Sequence, residues 1–389
     1  MATLLDSLIP LGIYLAVWIG IFIIGVLVKA DRFGLILKPY YFMLKTVAFN
    51  SWMERLGRKW RGFWLTFYDI GAAVGIGLTA LAVYVFIRGL IALLTNAPGA
   101  TGVALIVPVP GLVRLDILPY ILLGIAVLLI PHEVAHGIAS VLDRVPIKSS
   151  GVFIAVVLPG GFVEIDEEDL SKKANRTKLR VFAAGSFTNI VTWFLVLLLA
   201  SAIFVPGPAG VLITNLTNNG GAQQAQVPQW SVITAINGTQ ISSIGDLSRF
   251  MSNVKAGQSI ELQLSDGTNI VSKTVKTTLE NSTGSPRALI GITSQDYQRP
   301  RTTLVTPFIG FQLSLAFYWL TLLLINVAIV NMLPLFPFDG DRYYATILNI
   351  LGVKNTKWPR IVASGVSLSL LLLSIVISFV KFGTILLGT

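Results

Sequence analysis

Two histidines and a glutamate form the most reactive group of side chains in the sequence. They occur as His132-Glu133-Val134-Ala135-His136, and the 389-residue chain contains no other histidine. On a helix, positions four apart lie on one face, so both imidazoles can bind a single metal ion. The glutamate between them can act as general base towards a metal-activated water. The motif therefore predicts hydrolytic chemistry at a metal ion.

The motif lies inside an apolar stretch, residues 121–140, with Leu128-Leu129-Ile130 before it and Ile138 after it. Ionisable side chains within a membrane span are costly, so they are candidates for function by default. The alternative is a hydrogen-bonded pair of buried histidines that serves packing alone. The sequence favours a metal site that operates within a bilayer.

The composition is that of a polytopic membrane protein. Hydrophobic residues make up 54% of the chain and charged residues 12%, against about 25% charged in soluble domains. The net charge of +10 does not indicate nucleic-acid binding, because the basic residues cluster in loops between apolar runs. The absence of cysteine excludes disulfides and cysteine-based metal or nucleophilic chemistry.

Six membrane spans are predicted, and the basic residues orient them. The spans are approximately 8–29, 67–95, 117–142, 180–205, 306–332 and 361–386. Eight basic residues follow the first span, seven lie in 143–180 and four in 336–360, whereas 96–116 has only Arg114. Excess positive charge marks the cytoplasmic side, so both termini are expected outside. We read the first apolar run as a retained anchor because no basic region precedes it.

A third metal ligand must come from another part of the chain, and Asp339 is the best candidate. It lies in a Pro-rich segment, residues 331–340, at the expected cytoplasmic end of the fifth span. His132 lies about fifteen residues into its span, roughly 22 Å at helical rise, in the cytoplasmic third of a core of about 30 Å. The two residues are therefore expected at the same depth. A turn-forming Asp-Gly is the alternative for Asp339.

Two asparagines are candidates for positioning an oxyanion or a substrate carbonyl. Asn189 follows the small residues Ala183-Ala184-Gly185 in the fourth span, and Asn331 begins the segment that contains Asp339. Hydrogen bonding between helices is an equally good interpretation of both. Asp69 and Arg88, near or within the second span, are expected to pair or to reach the interface.

The segment 149–165 is too short to span the membrane and is interrupted by Pro159-Gly160-Gly161. We expect a β-hairpin that dips into the cytoplasmic side of the membrane and either aligns an unwound substrate or connects two spans as a buried element. The predicted substrate-aligning residues are Gly151, Val152, Phe153, Ile154, Gly160 and Gly161.

Two further regions are expected to have structure of their own. Basic and aromatic residues interleave between Trp52 and Trp64, which predicts an interfacial helix or a plain basic loop. Residues 206–303 alternate short β-branched runs with turn signals, which predicts one small β-rich domain on the external side. The order of its elements resembles a PDZ domain, a class that binds extended peptides at a sheet edge; another small β domain is the alternative.

Three ordered motifs resemble the site-2 protease family, whose members are zinc metalloproteases that cut within membrane spans. They are His132-Glu133-xx-His136, Ala184-Gly185-xxx-Asn189 and Asn331-xx-Pro334 through Asp339-Gly340. The resemblance implies one Zn²⁺ held by His132, His136 and Asp339, with Glu133 as base. It also implies a single-span membrane protein as substrate, already trimmed by an earlier protease, and an insert that screens what reaches the site.

The predicted fold is a polytopic α-helical membrane protein with a re-entrant β-hairpin and a PDZ-like insert. Its expected regions are the first two spans, two parts of a catalytic core separated by the insert, and a last span; in residues they are 1–116, 117–205, 206–303, 304–345 and 346–389. A prokaryotic cell membrane is the expected location. Two other functions stay open: an ion-coupled transporter that uses the buried His, Glu and Asp side chains, and an inactive zinc-binding scaffold.

Overall fold

A computed structural model describes residues 4–100, 113–155, 158–279 and 288–382. The chain divides into two compact units. The membrane unit comprises residues 1–194 and 319–389, and the insert unit comprises residues 195–318. The boundaries of the five regions expected from the sequence stay a prediction.

Long apolar helices dominate the membrane unit. Five of them are long and apolar enough to cross a bilayer. They are α3 (Arg61–Leu94), α4 (Leu118–Leu142), α6 (Asn175–Ile203), α9 (Pro307–Val330) and α11 (Lys357–Phe382). The first helix, α1 (Leu4–Leu27), contributes a shorter apolar stretch, Gly12–Leu27. Five of the six expected spans are thus present as helices, and the span predicted at 8–29 stays a prediction.

Three shorter helices lie between these long ones. They are α2 (Asn50–Lys59), α5 (Glu167–Lys172) and α10 (Asp339–Ile350). The helix predicted in the basic, aromatic loop is present as α2. The N-terminus of α5 is capped by Asp166, whose side chain accepts a hydrogen bond from the N–H of Asp169, as Asp commonly does at this position. A 3₁₀ turn, Ala30–Phe33, follows α1.

The predicted hairpin is present, but it belongs to a larger sheet. Strands β3 (Ile147–Ala155) and β4 (Leu158–Ile165) pair antiparallel, and the turn at 156–157 lies outside the described residues. Two more strands, β1 (Leu35–Lys38) and β2 (Tyr41–Thr46), extend the sheet in the order β1-β2-β3-β4. The sequence did not predict β1 and β2, because the region was assigned to an interfacial helix or basic loop.

The position of β3 corrects one prediction about substrate alignment. Strand β2 pairs with β3 from Tyr41↔Ala155 to Thr46↔Ser150, while β4 pairs with its other side. Both backbone edges of β3 are therefore occupied, and Gly151, Val152, Phe153 and Ile154 offer no free edge to a substrate strand. The free edge of the hairpin is that of β4, which contains Gly160 and Gly161.

Glycines allow the helices of the membrane unit to pack closely. The face of α3 at Gly71 contacts the ring of Phe187 from α6, where an added methyl group would lie 2.8 Å from the ring. At Gly75 the same face contacts Tyr343 of α10, whose hydroxyl donates a hydrogen bond to the carbonyl of Ala72. Burial raises the pKa of Tyr343 to about 12, so this hydroxyl remains a donor at neutral pH.

The insert unit is built on an antiparallel sheet with an apolar core. Its strands are β5 (Val211–Leu216), β6 (Val232–Ile236), β7 (Thr239–Gln240), β8 (Ser259–Ser265), β9 (Ile270–Lys276) and β12 (Ile292–Asp296), with β10 (Thr278–Leu279) and β11 (Ala288–Leu289) as a separate pair. Two short helices, α7 (Gly221–Gln224) and α8 (Ile244–Met251), complete it. The buried core includes Ile213, Ile233 and Leu262. The predicted β-rich unit and its short helix are confirmed.

Candidate metal centre

Helix α4 presents both histidines on one buried face. The side chains of His132 and His136 are 7% and 10% exposed, and their ring centroids lie 4.9 Å apart. This placement follows from the four-residue spacing, since it corresponds to about one helical turn. The prediction that the two imidazoles share a face is confirmed.

Asp339 meets the histidines from the first position of α10. Its Oδ2 lies 3.4 Å from Nε2 of His132 and 3.1 Å from Nε2 of His136. One ligand atom from each of the three residues falls within 4.8 Å of the others. Around a tetrahedral zinc with bonds of about 2.0–2.1 Å, neighbouring ligand atoms are separated by roughly 3.3 Å. The spacing of the three side chains therefore fits a zinc ion.

Helix α6 contacts the two rings at Val181, Gly185 and Asn189, which are spaced four residues apart. The carbonyl oxygen of Val181 lies 2.7 Å from Nδ1 of His136, and the amide of Asn189 lies 2.9 Å from Nδ1 of His132. A hydrogen bond at Nδ1 fixes the ring orientation and leaves Nε2 free for a metal, the usual arrangement for a metal-binding histidine. The chemistry of the donor set thus agrees with the spacing.

The amide of Asn189 supplies a second indication of the same tautomer. Its Oδ1 is buried and has no hydrogen-bond partner within the described part of the chain. With Oδ1 turned towards the ring, the amide accepts a hydrogen bond from Nδ1–H of His132 and this buried acceptor is satisfied. Asn189 is fully buried on the Nδ1 side of the ring, so it is a helix-to-helix contact rather than the oxyanion donor that the sequence also allowed.

Gly185, the middle position of the three on α6, leaves space for the ligand atoms. A methyl group added at this residue would lie 2.5 Å from Nε2 of His136 and closer still to Nε2 of His132. Such a group would occupy the space between the ligand nitrogens, where an ion of the size of zinc would be held. The absence of a side chain at Gly185 therefore allows α6 to approach the two histidines closely.

Asn331 contacts the carboxylate of Asp339, the third candidate ligand. Its Nδ2 donates a hydrogen bond of 2.7 Å to Oδ2 of Asp339 and lies 3.2 Å from Nε2 of His132. Its backbone carbonyl accepts from the N–H of Gly340 at 2.9 Å. Asn331 therefore orients Asp339, and its partly exposed side chain borders the same cavity as the ligands. Its predicted role towards substrate stays a prediction.

Glu133 faces the free edge of the hairpin. Its Oε2 accepts a hydrogen bond of 3.0 Å from the N–H of Val163 on β4. A methyl group at Gly161 would lie 3.0 Å from Cγ of Glu133. The sequence did not predict this contact, because it joins a helix to a strand through a backbone N–H that has no signature in residue type.

The three ligands and Glu133 open onto one cavity of about 840 Å³. It is lined by α4, by β4 from Gly160 to Ile165, and by the segment that ends at Arg342. Arg342 is 2.7 Å from Glu167 of α5, and both residues line the cavity. The volume lies in the range of sites that hold extended small ligands.

Ion pairs of a buried arginine hold the C-terminal end of α4, which follows the histidines. Arg180 of α6 donates to Asp69 of α3 at 2.6 Å and to Asp143, immediately after α4, at 3.1 Å. Asp69 also pairs with Arg176 at 2.8 Å. The partner of Asp69 is therefore α6, not Arg88 as the sequence suggested.

Comparison with known proteins assigns the family. The profile of Peptidase family M50 matches residues 120–374, which include the histidine motif, Asn189 and Asp339. The chain belongs to Peptidase family M50. This is the site-2 protease family, so the prediction from three ordered motifs is confirmed. Membership supports a metalloprotease and implies zinc, for which the group formed by His132, His136 and Asp339 is the candidate site.

Two curated relatives share part of their length with this M50 chain. A membrane-bound transcription factor site-2 protease homolog of Arabidopsis thaliana is 28% identical over 39% of this chain and 29% of its own length. An uncharacterized protein of Methanocaldococcus jannaschii is 25% identical over 62% of this chain and 61% of its own. The chain thus spans less than two thirds of either relative.

A PDZ domain of an SdrC-like protein from Listeria monocytogenes is 22% identical to this M50 chain in structural comparison. The match covers 22% of this chain and 87% of that domain, with a TM-score of 0.20. The resemblance of the insert to a PDZ domain continues to rest on its order of strands and helices.

Proposed function

We propose that this M50 protein is a zinc-dependent intramembrane endopeptidase that cuts membrane proteins within or near a transmembrane segment. The observation that carries the proposal is the set formed by His132, His136, Asp339 and Glu133. Three zinc-type ligands and an adjacent carboxylate base open onto one cavity, and the helix that contains the histidines is long and apolar enough to span a bilayer.

The chemistry assigned to these residues is peptide hydrolysis by water. Zinc, when bound by His132, His136 and Asp339, would lower the pKa of water and polarise the scissile carbonyl. Glu133 accepts the proton of the attacking water and delivers it to the leaving amine nitrogen. Asn331, at the border of the cavity, is the proposed amide donor to the developing oxyanion. Asn189 acts only through His132.

Strand β4 is the proposed aligning element for an unwound substrate. A helical substrate must lose intrahelical hydrogen bonds before attack, and pairing with a strand edge would replace them. The N–H of Val163 points away from β3 towards Glu133, and strand alternation places the N–H of Gly161 on the same edge. Gly161→Pro should therefore impair cleavage strongly without loss of zinc; unchanged cleavage would exclude this pairing.

The proposed substrate is a single-span membrane protein already shortened by an earlier cut, because the site lies in a membrane unit and a shortened chain reaches it more easily. The insert unit is proposed to lie outside the cytoplasm and to bind a peptide or substrate tail through its sheet. The active site is proposed to face the cytoplasmic side, on the charge distribution of the loops. A prokaryotic cell membrane is the proposed location.

Zinc content tests the site before any substrate is known. We expect about one zinc per purified chain, lost in His132→Ala and Asp339→Ala and retained in Glu133→Gln. Reconstituted Glu133→Gln should also fail to cleave single-span proteins that the wild type cleaves. A zinc content that is unchanged in Asp339→Ala would contradict the proposed set of ligands. Cleavage that survives Glu133→Gln would contradict the base.

The same variants separate the two other functions from proteolysis. A transporter requires flux across sealed vesicles that depends on His132 or Asp339, with no peptide product. A zinc-bearing scaffold requires that Glu133→Gln changes nothing measurable. Family membership favours neither of them.

A further inference from the structure

A second, smaller cavity lies where α3 begins and α4 ends. It has a volume of about 580 Å³ and is separate from the metal centre. We call it the basic pocket, and it is lined by Glu54, Gly57, Arg58, Arg61, Val141, Leu142, Arg144, Val145 and Pro146. Three guanidinium groups thus face one carboxylate, which leaves an excess of two positive charges in a concave site.

These guanidinium groups have few partners within the protein. Arg58 has a 77% exposed side chain, and its contact with Glu54 is a long one of 3.5 Å. Arg144 is exposed and forms no ion pair in the described part of the chain. Arg61 donates to the carbonyl of Leu142 at 3.2 Å, which satisfies one of the terminal carbonyls of α4. Most of the donors in the pocket are therefore available to a ligand.

Arg144 occupies a backbone position at which arginine is unfavourable. Its φ is 59°, in the left-handed region, and its N–H together with that of Val145 closes the end of α4. Glycine and asparagine are the usual residues at such a helix end, because they adopt this conformation with little strain. The turn itself does not require arginine, so the presence of this side chain calls for a functional explanation.

The basic pocket lies at the level where two predicted spans leave the membrane. Helix α3 starts at Arg61, and helix α4 ends at Leu142. The exposed Trp60 and Phe63 lie at the start of α3, and the exposed Trp52 lies on α2. Exposed aromatic side chains are typical of the membrane interface. A ligand of the basic pocket is thus at the depth of lipid headgroups.

We propose that the basic pocket binds the phosphate headgroup of an anionic phospholipid. Arginine forks match phosphate oxygens in a bidentate manner, and basic pockets between membrane helices suit anionic headgroups. The volume is ample for a glycerophosphate group, and the exposed aromatic rings suit the adjoining acyl chains. The positive charge, the arginine at a glycine-type position and the interfacial depth all favour this ligand.

A bound headgroup would join the metal-bearing helix to α2. Arg58 belongs to α2, and Arg144 is the second residue after the end of α4. The two helices already pack closely: a methyl group at Gly57 would lie 2.8 Å from Val141, and one at Gly137 would lie 2.5 Å from Sδ of Met53. A phosphate bound by both Arg58 and Arg144 therefore links α2 to α4 and stabilises the position of the helix that contains His132 and His136.

The test is a thermal unfolding titration of the full chain in neutral detergent. The probes are dihexanoyl phosphatidylglycerol, dihexanoyl phosphatidylcholine and inorganic phosphate, and no peptide cleavage is needed. We expect a saturable rise in melting temperature with phosphatidylglycerol only. The double variant Arg58→Gln with Arg144→Gly should bind it about 30-fold more weakly, from the loss of two arginines.

Two variants keep the test independent of misfolding. Arg144→Gly alone should keep or raise the melting temperature without lipid, because glycine suits the left-handed position, yet it should weaken lipid binding. Arg55→Gln removes the same charge from the same helix outside the basic pocket and should leave lipid binding unchanged.

Three results would overturn the proposal. One is a wild type that does not respond to phosphatidylglycerol. Another is an equal effect of Arg55→Gln and Arg58→Gln, which would show diffuse surface charge. The third is an equal response to inorganic phosphate at the same concentration, which would identify a free anion rather than a lipid.

Discussion

The two units of the chain differ in how many polar side chains they bury. The core of the insert unit is an uninterrupted apolar cluster that includes Ile213, Ile233 and Leu262. Its buried polar residues, among those the structure describes, are Ser231 and Thr277. The membrane unit instead buries His132, His136, Arg180, Asn189 and Asp341, while many large apolar side chains remain on its surface.

This difference follows from what surrounds each unit. In water, burial of apolar surface drives folding, so the insert gains by collecting its apolar side chains inside. Lipid tails are as apolar as the side chains, so burial of leucine between helices gains little there. Close packing and buried polar contacts then determine how the helices fit. In the membrane unit these buried polar contacts include those that α6 makes with His132 and His136 of the candidate metal site.

Of the variants that test this comparison, Gly185→Ala has the largest expected effect. We expect zinc affinity to fall by about 100-fold or more, because the methyl group would fill the space between the two Nε2 atoms. Zinc content after dialysis against a graded chelator series measures the loss. Gly77→Ala, in α3 with nothing within 4 Å of the added carbon, is the matched control. Full zinc affinity in Gly185→Ala would disprove the spatial role of this glycine.

The second test compares a buried and an exposed ion pair. Arg180→Met should cost about 3 kcal/mol of unfolding free energy, because Asp69 and Asp143 lose a buried partner; Asp69 keeps Arg176. Arg249→Met in the insert should cost about 0.5 kcal/mol or less, since that side chain is 79% exposed. Unfolding titrations in mixed micelles measure both. Equal costs would remove the distinction between the two units.

The smallest effect is expected at a turn on the surface of the insert. Asp266 accepts hydrogen bonds from the backbone N–H groups of Asn269 and Thr268, and these hold its pKa below the usual 3.8. A depressed folded-state pKa adds stability above the unfolded-state pKa, and this is lost as pH falls through the folded value. Asp266→Ala should therefore lower the melting temperature slightly at pH 7.

The pH dependence of that difference provides the check. The gap between wild type and Asp266→Ala should narrow as the pH falls below about 4, the unfolded-state value of an aspartate. Melting curves of both proteins over a pH series measure it. A gap that stays constant down to acid pH would show that the turn does not depend on the ionised carboxylate.

The sequence predicted that His132, His136 and Asp339 come together because their geometry is local or is marked by rare residues. The spacing of His132 and His136 alone puts them on one face of a helix. Gly185 and Asn189 have the same four-residue spacing on α6, so α4 and α6 contact each other at successive helical turns. Asp339 could be chosen because few carboxylates lie at the end of an apolar run.

Other features depend on contacts that no short pattern encodes. Strand β2 pairs with β3 across about a hundred positions, so the sequence could not show that both edges of β3 are occupied. Backbone groups at Val163 and Val181 contact the site without any requirement on residue type. The partners of Asp69 were missed because Arg176 and Arg180 lie on a different helix.

The distance in sequence between the parts of the metal centre has a consequence for biosynthesis. Asn331 and His132 are 199 positions apart, yet they touch. At about 5–20 residues per second, roughly 10–40 s of translation separate the histidines from Asp339. During that interval the nascent chain contains the histidines and Glu133 but not the carboxylate ligand. The residues of the candidate metal site are thus complete only late in synthesis, after most of the chain has been made.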